Sequence, residues 1–179
     1  MRTFVISDLH MGHKNILNFT INDGEKLRTF RDIHEMHSVI MDRWCQVVLP
    51  SDKVYVLGDV AMTRPGLELL STLPGKKRLI RGNHDLMNDA WYHKVGFKCL
   101  YGVRQVNGVW LTHVPMHPQS MGPRVVGNIH GHLHARQVML SEYGPNCQIP
   151  DPRYFNACVE RVEYTPTLIS AIIAERNWA

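Results

Sequence analysis

Aspartate, histidine and asparagine side chains follow several apolar runs in this 179-residue chain. Asp8 and His10 come directly after the first run, and the stretch GNIHGHLHA at 127–135 places three histidines at alternate positions. Carboxylate oxygens and imidazole nitrogens suit borderline divalent cations such as Mn²⁺, Fe²⁺ and Zn²⁺. No C-x-x-C pair occurs among the four cysteines, so a structural thiolate zinc site is not expected. The pattern predicts a metal site with oxygen and nitrogen ligands.

Five motifs carry these side chains, and each motif ends an apolar run. In chain order they are DLH at 8–10, GD at 58–59, GNHD at 82–85, TH at 112–113 and GHLH at 131–134. Short apolar runs of this kind are typical of buried strands, and the tips of neighbouring strands meet along one edge of a sheet. These motifs carry more ligand groups than one metal ion can bind. They match two ions that share a carboxylate, about 3.5–4 Å apart.

Apolar spacing and turn residues predict the elements that position the motifs. Strands are predicted at 2–7, 53–59, 76–85, 124–134 and 153–164, with a hairpin over 103–115 that turns at Asn-Gly. Helices are predicted at 32–48, 64–73, 89–97 and 166–179, and the first has Asp32 as its N-cap. The segment 136–153 is predicted to be mostly loop. This order indicates an α/β fold with either a mixed sheet or two packed sheets, and helices outside.

Length and composition favour one domain that spans residues 1–179. Lys and Arg number 20 against 16 Asp and Glu, and this mildly basic balance suits an anionic substrate. The chain has no basic run of five residues, so no dedicated nucleic-acid-binding module is expected. It has no apolar run of 18 residues and no signal peptide, so we expect a cytoplasmic protein without a membrane span. The oligomeric state stays open.

The motifs DLH, GD, GNHD, THVP and GHLH together resemble those of the calcineurin-like metallophosphoesterase superfamily, and they span residues 8–134. The opening SDLHMGHKNIL resembles small single-domain bacterial and phage phosphoesterases. The resemblance implies two mixed β-sheets packed together and flanked by helices, an αββα sandwich. It also implies two metal ions bridged by Asp59. One ion would be held by Asp8, His10, Asp59 and His134, and the other by Asp59, Asn83, His113 and His132.

The same resemblance implies roles for the remaining motif residues. His84 would face the substrate and donate a hydrogen bond or proton to the phosphoryl or leaving oxygen, and Asp85 would orient His84 through its ring N–H. His130 has no motif counterpart and is expected to pack or hydrogen-bond behind the site. Mn²⁺ is the first choice of metal, with Fe²⁺, Zn²⁺ and Ni²⁺ as alternatives. The expected reaction is in-line attack of a metal-bridging hydroxide on a small or nucleotide-type phosphodiester.

Residues outside the motifs are candidates for substrate contacts. The candidates on the rim of the site are His13, Arg64, His117 and Arg124. Three further arginines, Arg28, Arg31 and Arg81, could supply a phosphate clamp but rank below Arg64 and Arg124.

Two other functions stay open at this point. The same metals would serve a phosphomonoesterase or protein phosphatase, although GDVAMTRPG departs from the Asp-Arg-Gly pattern of the protein phosphatases. A relative that has lost catalysis would act as a metal-binding scaffold, but every expected ligand and His84 are present here.

Overall fold

The computed structural model describes residues 1–21, 24–140 and 148–178. Its strands are β1 (Thr3–Ile6), β2 (Lys53–Val56), β3 (Lys76–Ile80), β4 (Cys99–Tyr101), β5 (Arg104–Val106), β6 (Val109–Leu111), β7 (Gly127–His130), β8 (Tyr154–Asn156) and β9 (Thr167–Leu168). Its α-helices are α1 (Ile33–Val47), α2 (Arg64–Glu68), α3 (Asp89–Lys94) and α4 (Ile169–Glu175). Short 3₁₀ turns lie at Lys14–Asn18, Leu69–Thr72 and Pro118–Ser120.

The strands form two mixed sheets. The first sheet has the order β4-β3-β2-β1-β9, in which only β9 runs antiparallel to its neighbour. The second has the order β5-β6-β7-β8, in which only β5 and β6 are antiparallel. With helices flanking the packed sheets, this architecture confirms the predicted α/β fold with two mixed sheets.

Alternation along β1 shows how the layers pack. Phe4 and Ile6 belong to one apolar cluster with Trp44 of α1, whereas Val5 belongs to a second cluster with Ile129 of β7. Successive side chains of a strand point to opposite faces, so β1 contributes to both layers. The first sheet therefore lies between the helical layer containing α1 and the second sheet.

Local signals explain the elements that were predicted well. Asp32 caps α1 because its carboxylate accepts hydrogen bonds from the backbone N–H groups of His34 and Glu35. Asn107 and Gly108 both have positive φ, of 49° and 79°, as the tight turn between β5 and β6 requires. The hairpin at 103–115 and the helix at 32–48 are confirmed.

The chain after residue 153 differs from the prediction. The strand predicted at 153–164 covers only Tyr154–Asn156, and the helix predicted at 166–179 begins at Ile169. The intervening residues Thr167 and Leu168 instead pair with Val5 and Phe4 of β1. Pairing with the free edge of β1 satisfies backbone groups there, and this long-range contact leaves no local pattern. The short strand β4 was also not predicted.

None of the helices in the described ranges is both long enough and apolar enough to cross a membrane.

Candidate metal centre

Strand ends from both sheets meet at one place. Asp8 and His10 follow β1, Asp59 follows β2, Asn83 follows β3, His113 follows β6, and His132 and His134 follow β7. β7 pairs in parallel with β6, and β3 pairs in parallel with β2, so their carboxyl ends point the same way. The structure thus brings together the side chains that the motifs singled out, in two groups.

The first group consists of Asp8, His10 and His134, whose nearest ligand atoms all lie within 4.8 Å of one another. Asp8 Oδ1 is 3.7 Å from His10 Nε2 and 3.9 Å from His134 Nε2. Asp8 and His10 are buried. Separations of this size leave room for a cation with metal–ligand bonds of about 2.0–2.2 Å.

The second group consists of Asp59, His113 and His132, again with ligand atoms within 4.8 Å. Asp59 Oδ2 is 3.5 Å from His113 Nε2 and 3.7 Å from His10 Nε2, so this one oxygen faces both groups. Asp59 is therefore placed where a bridging carboxylate would stand.

Asn83 lies beside the second group. Its Oδ1 lies 2.9 Å from Nε2 of His113, and that same nitrogen lies 3.3 Å from Nδ1 of His132. Nδ1 of His113 is 2.7 Å from the carbonyl oxygen of Leu57, which can only accept, so the ring proton is on Nδ1. Nε2 then presents a lone pair toward Asn83 Oδ1. Two acceptors at this distance repel each other unless a proton or a metal cation lies between them, and a metal ion held by both atoms would meet this need.

Unpartnered polar atoms occur in the first group as well. Asp8 Oδ1 and both ring nitrogens of His10 are buried and make no hydrogen bond to any described residue. Asp8 Oδ2, by contrast, accepts from Ser7 Oγ at 2.6 Å and from the backbone N–H of His132 at 2.8 Å. Burial raises the pKa of Asp8, but the nearby imidazoles of His10, His113 and His134 and the hydrogen bond from Ser7 outweigh burial and hold that pKa well below its usual range. A charged, half-satisfied carboxylate of this kind fits a cation ligand.

A charged network supports His134 from behind. Glu160 Oε1 is 2.9 Å from His134 Nδ1 and 2.7 Å from Arg28 Nη2, and Arg28 Nη2 also donates to the carbonyl of Asp8 at 2.6 Å. The bond to Glu160 places the ring proton on Nδ1 and leaves Nε2 of His134 facing Asp8. Burial lowers the pKa of His134, but the hydrogen bond and charge of Glu160 raise it above the ordinary value.

Two of these supporting residues correct or extend the sequence analysis. Arg28 was a candidate for a phosphate clamp, but it is buried and its guanidinium bonds to Glu160 and to the carbonyls of Asp8 and Leu9. Glu160 was not predicted at all, because it lies far along the chain from the motifs and no local pattern marks it.

Five of the seven candidate ligands have a left-handed backbone conformation, which the described residues Asn107, Glu163, Tyr164 and Asn177 share. Left-handed φ values occur at Asp8 (58°), His10 (50°), Asp59 (52°), His132 (70°) and His134 (51°). Each such residue costs roughly 1–3 kcal/mol, and this strain concentrates at functional sites.

Two motif glycines are required by close approach. A Cβ atom at Gly82 would lie 2.2 Å from Asp59 Oδ1, and one at Gly131 would lie 2.0 Å from Ser7 Oγ and 2.5 Å from Asp8 Oδ2. Only glycine lets these loops pass behind the carboxylates.

Asp85 has a different role from the one implied by the resemblance. Its carboxylate accepts hydrogen bonds from the backbone N–H groups of Asp59 (2.9 Å), Val60 (3.0 Å) and Gly82 (2.8 Å). Within the described ranges it makes no hydrogen bond to the ring of His84. Burial raises the pKa of Asp85 despite these bonds. Asp85 thus joins the loops after β2 and β3 and holds Asp59 in place, and the predicted orientation of His84 by Asp85 is wrong.

His84 lies at the mouth of the site. Its backbone N–H donates to Asp59 Oδ1 at 2.9 Å, its side chain is exposed, and its ring centroid is 5.8 Å from that of His10. The ring can therefore reach a molecule bound at the two groups without being one of the candidate ligands.

The rim candidates divide into two pairs. The ring of His13 is 5.5 Å from that of His10, and Arg64 lines a cavity together with His84. His117 instead caps the turn at Pro118–Ser120, and Arg124 is an exposed residue. Among the described residues, no hydrogen bond, ion pair or ring contact joins His117 or Arg124 to the candidate ligands.

The remaining arginine candidates are engaged elsewhere. Arg81 donates to the carbonyl of Asp85 and pairs with Asp89, so it shapes the loop after β3. Arg31 pairs with Asp32 at the start of α1.

His130 packs behind the site, as predicted. It is fully buried, its Nδ1 is 2.8 Å from the carbonyl of Gly131, and its ring lies against that of Tyr154. Burial lowers the pKa of His130 to about 4, which keeps the ring neutral.

The similar proteins named in this paragraph have names that state no activity. No family model matches the chain. It is 32% identical over 177 residues to uncharacterized protein MJ1445 of Methanocaldococcus jannaschii, covering 96% of this chain and 89% of that protein. Gene 66 protein of Mycobacterium phage L5 is 36% identical over 89 residues, which cover 46% of this chain and 39% of the phage protein. The crystal structure of AQ665 from Aquifex aeolicus, a protein of unknown function, has a TM-score of 0.66 and 26% identity, with 97% of this chain and 98% of that one covered. On the near full-length match, the chain belongs to the same family as uncharacterized protein MJ1445.

Proposed function

We propose that this protein is a dinuclear-metal-dependent phosphodiesterase of the calcineurin-like metallophosphoesterase type, acting on small or nucleotide-type diesters. The observation that supports it best is the pair of Asp/His groups joined by Asp59, whose Oδ2 faces Nε2 of His10 and Nε2 of His113 at 3.7 and 3.5 Å. Adjacent sites that share a carboxylate are typical of enzymes that cleave phosphate esters.

The donor set fits divalent metals. Asp8, His10, Asp59 and His134 would hold one ion, and Asp59, Asn83, His113 and His132 would hold the other. Mn²⁺ is the first choice, and Fe²⁺, Zn²⁺ and Ni²⁺ suit the same ligands. Such ions supply Lewis acidity toward phosphoryl oxygens and lower the pKa of a coordinated water.

The residues of the chain prepare the site for these ions. The carbonyl of Leu57 and the carboxylate of Glu160 fix the tautomers of His113 and His134, so that each presents Nε2 to the site. The carboxylate of Asp85 accepts a hydrogen bond from the backbone N–H group of Asp59 and so holds the backbone there. Preorganised ligands of this kind need little rearrangement to bind a metal.

His84 is the proposed proton donor. It is exposed at the mouth of the site, and its backbone N–H is hydrogen-bonded to Asp59. Donation of a proton to the leaving oxygen contributes roughly 10²–10⁴-fold to the rate. The nearby hydroxyl of Ser7 and thiol of Cys158 are buried and donate to Asp8 Oδ2, so neither is available as a nucleophile. The proposal therefore has no covalent intermediate on these residues.

The proposal also places the protein in the cytoplasm. The described cysteines Cys45, Cys99 and Cys158 are free thiols, which suits a reducing compartment.

Mn²⁺-reconstituted protein assayed with two diesters of matched shape tests the proposal. Bis-p-nitrophenyl phosphate has a good leaving group and diphenyl phosphate a poor one, so loss of a proton donor should affect the second more. We expect His84→Ala to keep wild-type Mn²⁺ binding and to lose roughly 10²–10⁴-fold in kcat on diphenyl phosphate, with a smaller loss on the nitrophenyl ester. The matched control is His34→Ala, which removes an exposed histidine on α1.

Two results would count against the proposal. Folded, Mn²⁺-loaded wild type that hydrolyses neither diester would favour a metal-binding scaffold. A clear preference for p-nitrophenyl phosphate over both diesters would favour a phosphomonoesterase.

A further inference from the structure

Two cavities border the candidate metal centre. One, which we call the His84-side cavity, has a volume of about 410 Å³ and is lined in part by His84, Met62, Arg64, Leu86 and Trp91. Ligand cavities of ordinary size start at about 300 Å³, so the cavity can hold a ring with its substituents.

The second, the His134-side cavity, has a volume of about 540 Å³. His132 and His134 are on its wall, together with Phe19, Leu133 and Arg136. The wall therefore includes a candidate ligand of each metal group. A molecule held at the metal centre would have one cavity beside the proton donor and the other beside these two histidines.

The His84-side cavity has the chemistry of an aromatic-ring site. The guanidinium of Arg64 and the ammonium of Lys94 each lie 4.6 Å from the centre of the Trp91 ring, so this part of the wall has mixed cationic and π character. Leu86 is 84% exposed and Met62 is 36% exposed, although both are apolar. An apolar surface left open to water next to a catalytic group is typical of a binding site. Arg64 adds positive charge that complements a phosphate ester.

The position of His84 assigns the arms of a substrate to the cavities. If His84 protonates the leaving oxygen, the group attached to that oxygen must lie on the His84 side. The second ester arm then extends toward Phe19, which is 46% exposed and whose ring is edge-on to that of His13. A monoester has no second arm to occupy the His134-side cavity.

We propose that the substrate is a phosphodiester whose leaving arm carries an aromatic ring, as a nucleoside does, that binds against Leu86 and Trp91. Its second arm occupies the His134-side cavity against Phe19. This inference rests on the proposed function, and it adds which side of the centre each arm occupies.

Two substrates and three variants test this assignment. Bis-p-nitrophenyl phosphate has an aromatic ring on both arms, whereas methyl p-nitrophenyl phosphate has one only on the leaving arm. Leu86→Ser should raise KM about tenfold for both substrates, and Phe19→Ser should raise it about tenfold for the bis-aryl ester alone. The matched control is Leu49→Ser, a change at a leucine that is 56% exposed between α1 and β2, and it should leave both KM values unchanged.

Metal-loaded wild type that cleaves neither ester would remove the proposed function itself. Active wild type with an unchanged KM in Leu86→Ser would overturn the assignment of the leaving arm. Equal effects of Phe19→Ser on the two esters would overturn the assignment of the second arm. Circular dichroism of each variant checks that the proteins compared are folded. Because Leu86 is highly exposed, Leu86→Ser should leave the fold intact.

Discussion

Glu160 offers the sharpest test of how the protein supports its candidate metal centre. Its Oε1 contacts both His134 Nδ1 at 2.9 Å and Arg28 Nη2 at 2.7 Å. Glu160→Gln keeps the shape and an acceptor oxygen but removes the negative charge. The imidazole then becomes a weaker base, and the buried guanidinium of Arg28 loses its ionic partner.

The size of both effects follows from these contacts. Loss of a carboxylate behind a metal-binding histidine costs 10–100-fold in metal affinity, or about 1.4–2.7 kcal/mol. Breaking a buried ion pair costs about 3–5 kcal/mol, and we expect about 3 because glutamine retains a hydrogen bond. The pKa of Glu160 is held below its ordinary value, because the charge of Arg28 and the bond to His134 outweigh burial, so the carboxylate is charged at neutral pH.

Titration calorimetry with Mn²⁺ measures the first effect, and urea denaturation of metal-free protein measures the second. The control is Glu163→Gln, an exposed glutamate three residues along the chain, which should change neither quantity. Wild-type Mn²⁺ affinity in Glu160→Gln would refute the claim that Glu160 supports a metal ligand. Wild-type stability would refute the claim that it neutralises Arg28.

Three further changes test separate parts of the account. Asp85→Asn replaces one acceptor oxygen with an NH₂ group facing backbone donors, so the urea midpoint should fall by an amount equivalent to about 1–3 kcal/mol, and an unchanged midpoint would contradict this. Gly82→Ala brings a Cβ against Asp59 Oδ1, so elemental analysis should find fewer than two Mn²⁺ per chain, and two would show that the loop adapts. The hydrogen bond from Arg2 lowers the pKa of Asp52 to about 2 from 3.8, so this stabilisation is present above about pH 4 and is lost as pH falls toward 2. The melting temperature of Asp52→Asn should therefore be lower than that of wild type at pH 7, and the two melting temperatures should be nearly equal near pH 2. The same difference in melting temperature at both pH values would exclude this origin.

Local patterns were enough to predict the strands that carry the motifs. The runs before Asp8 and Asp59 are short, apolar and end in polar turns, and they form β1 and β2. Because parallel neighbours end at the same edge, the convergence of the side chains that follow could also be predicted. The Asn107-Gly108 turn and the Asp32 cap are likewise local signals.

Contacts between residues far apart in the sequence could not be predicted from local patterns. Glu160 reaches Arg28 across 132 positions of the sequence, and neither residue lies in a motif. Thr167 and Leu168 read as the start of a helix, but the free edge of β1 takes them into a strand. Asp85 lies in the expected motif, yet its bonds to three backbone N–H groups depend on how two loops meet. In each case a contact with a part of the chain that is distant in sequence determines what the residue does.

Crystals grown with Mn²⁺ and measured for anomalous scattering test the central claim most directly. The account predicts two peaks about 3.5–4 Å apart, one among Asp8, His10 and His134 and the other among Asp59, His113 and His132, with Asp59 between them. One peak alone, or peaks away from Asp59, would contradict it.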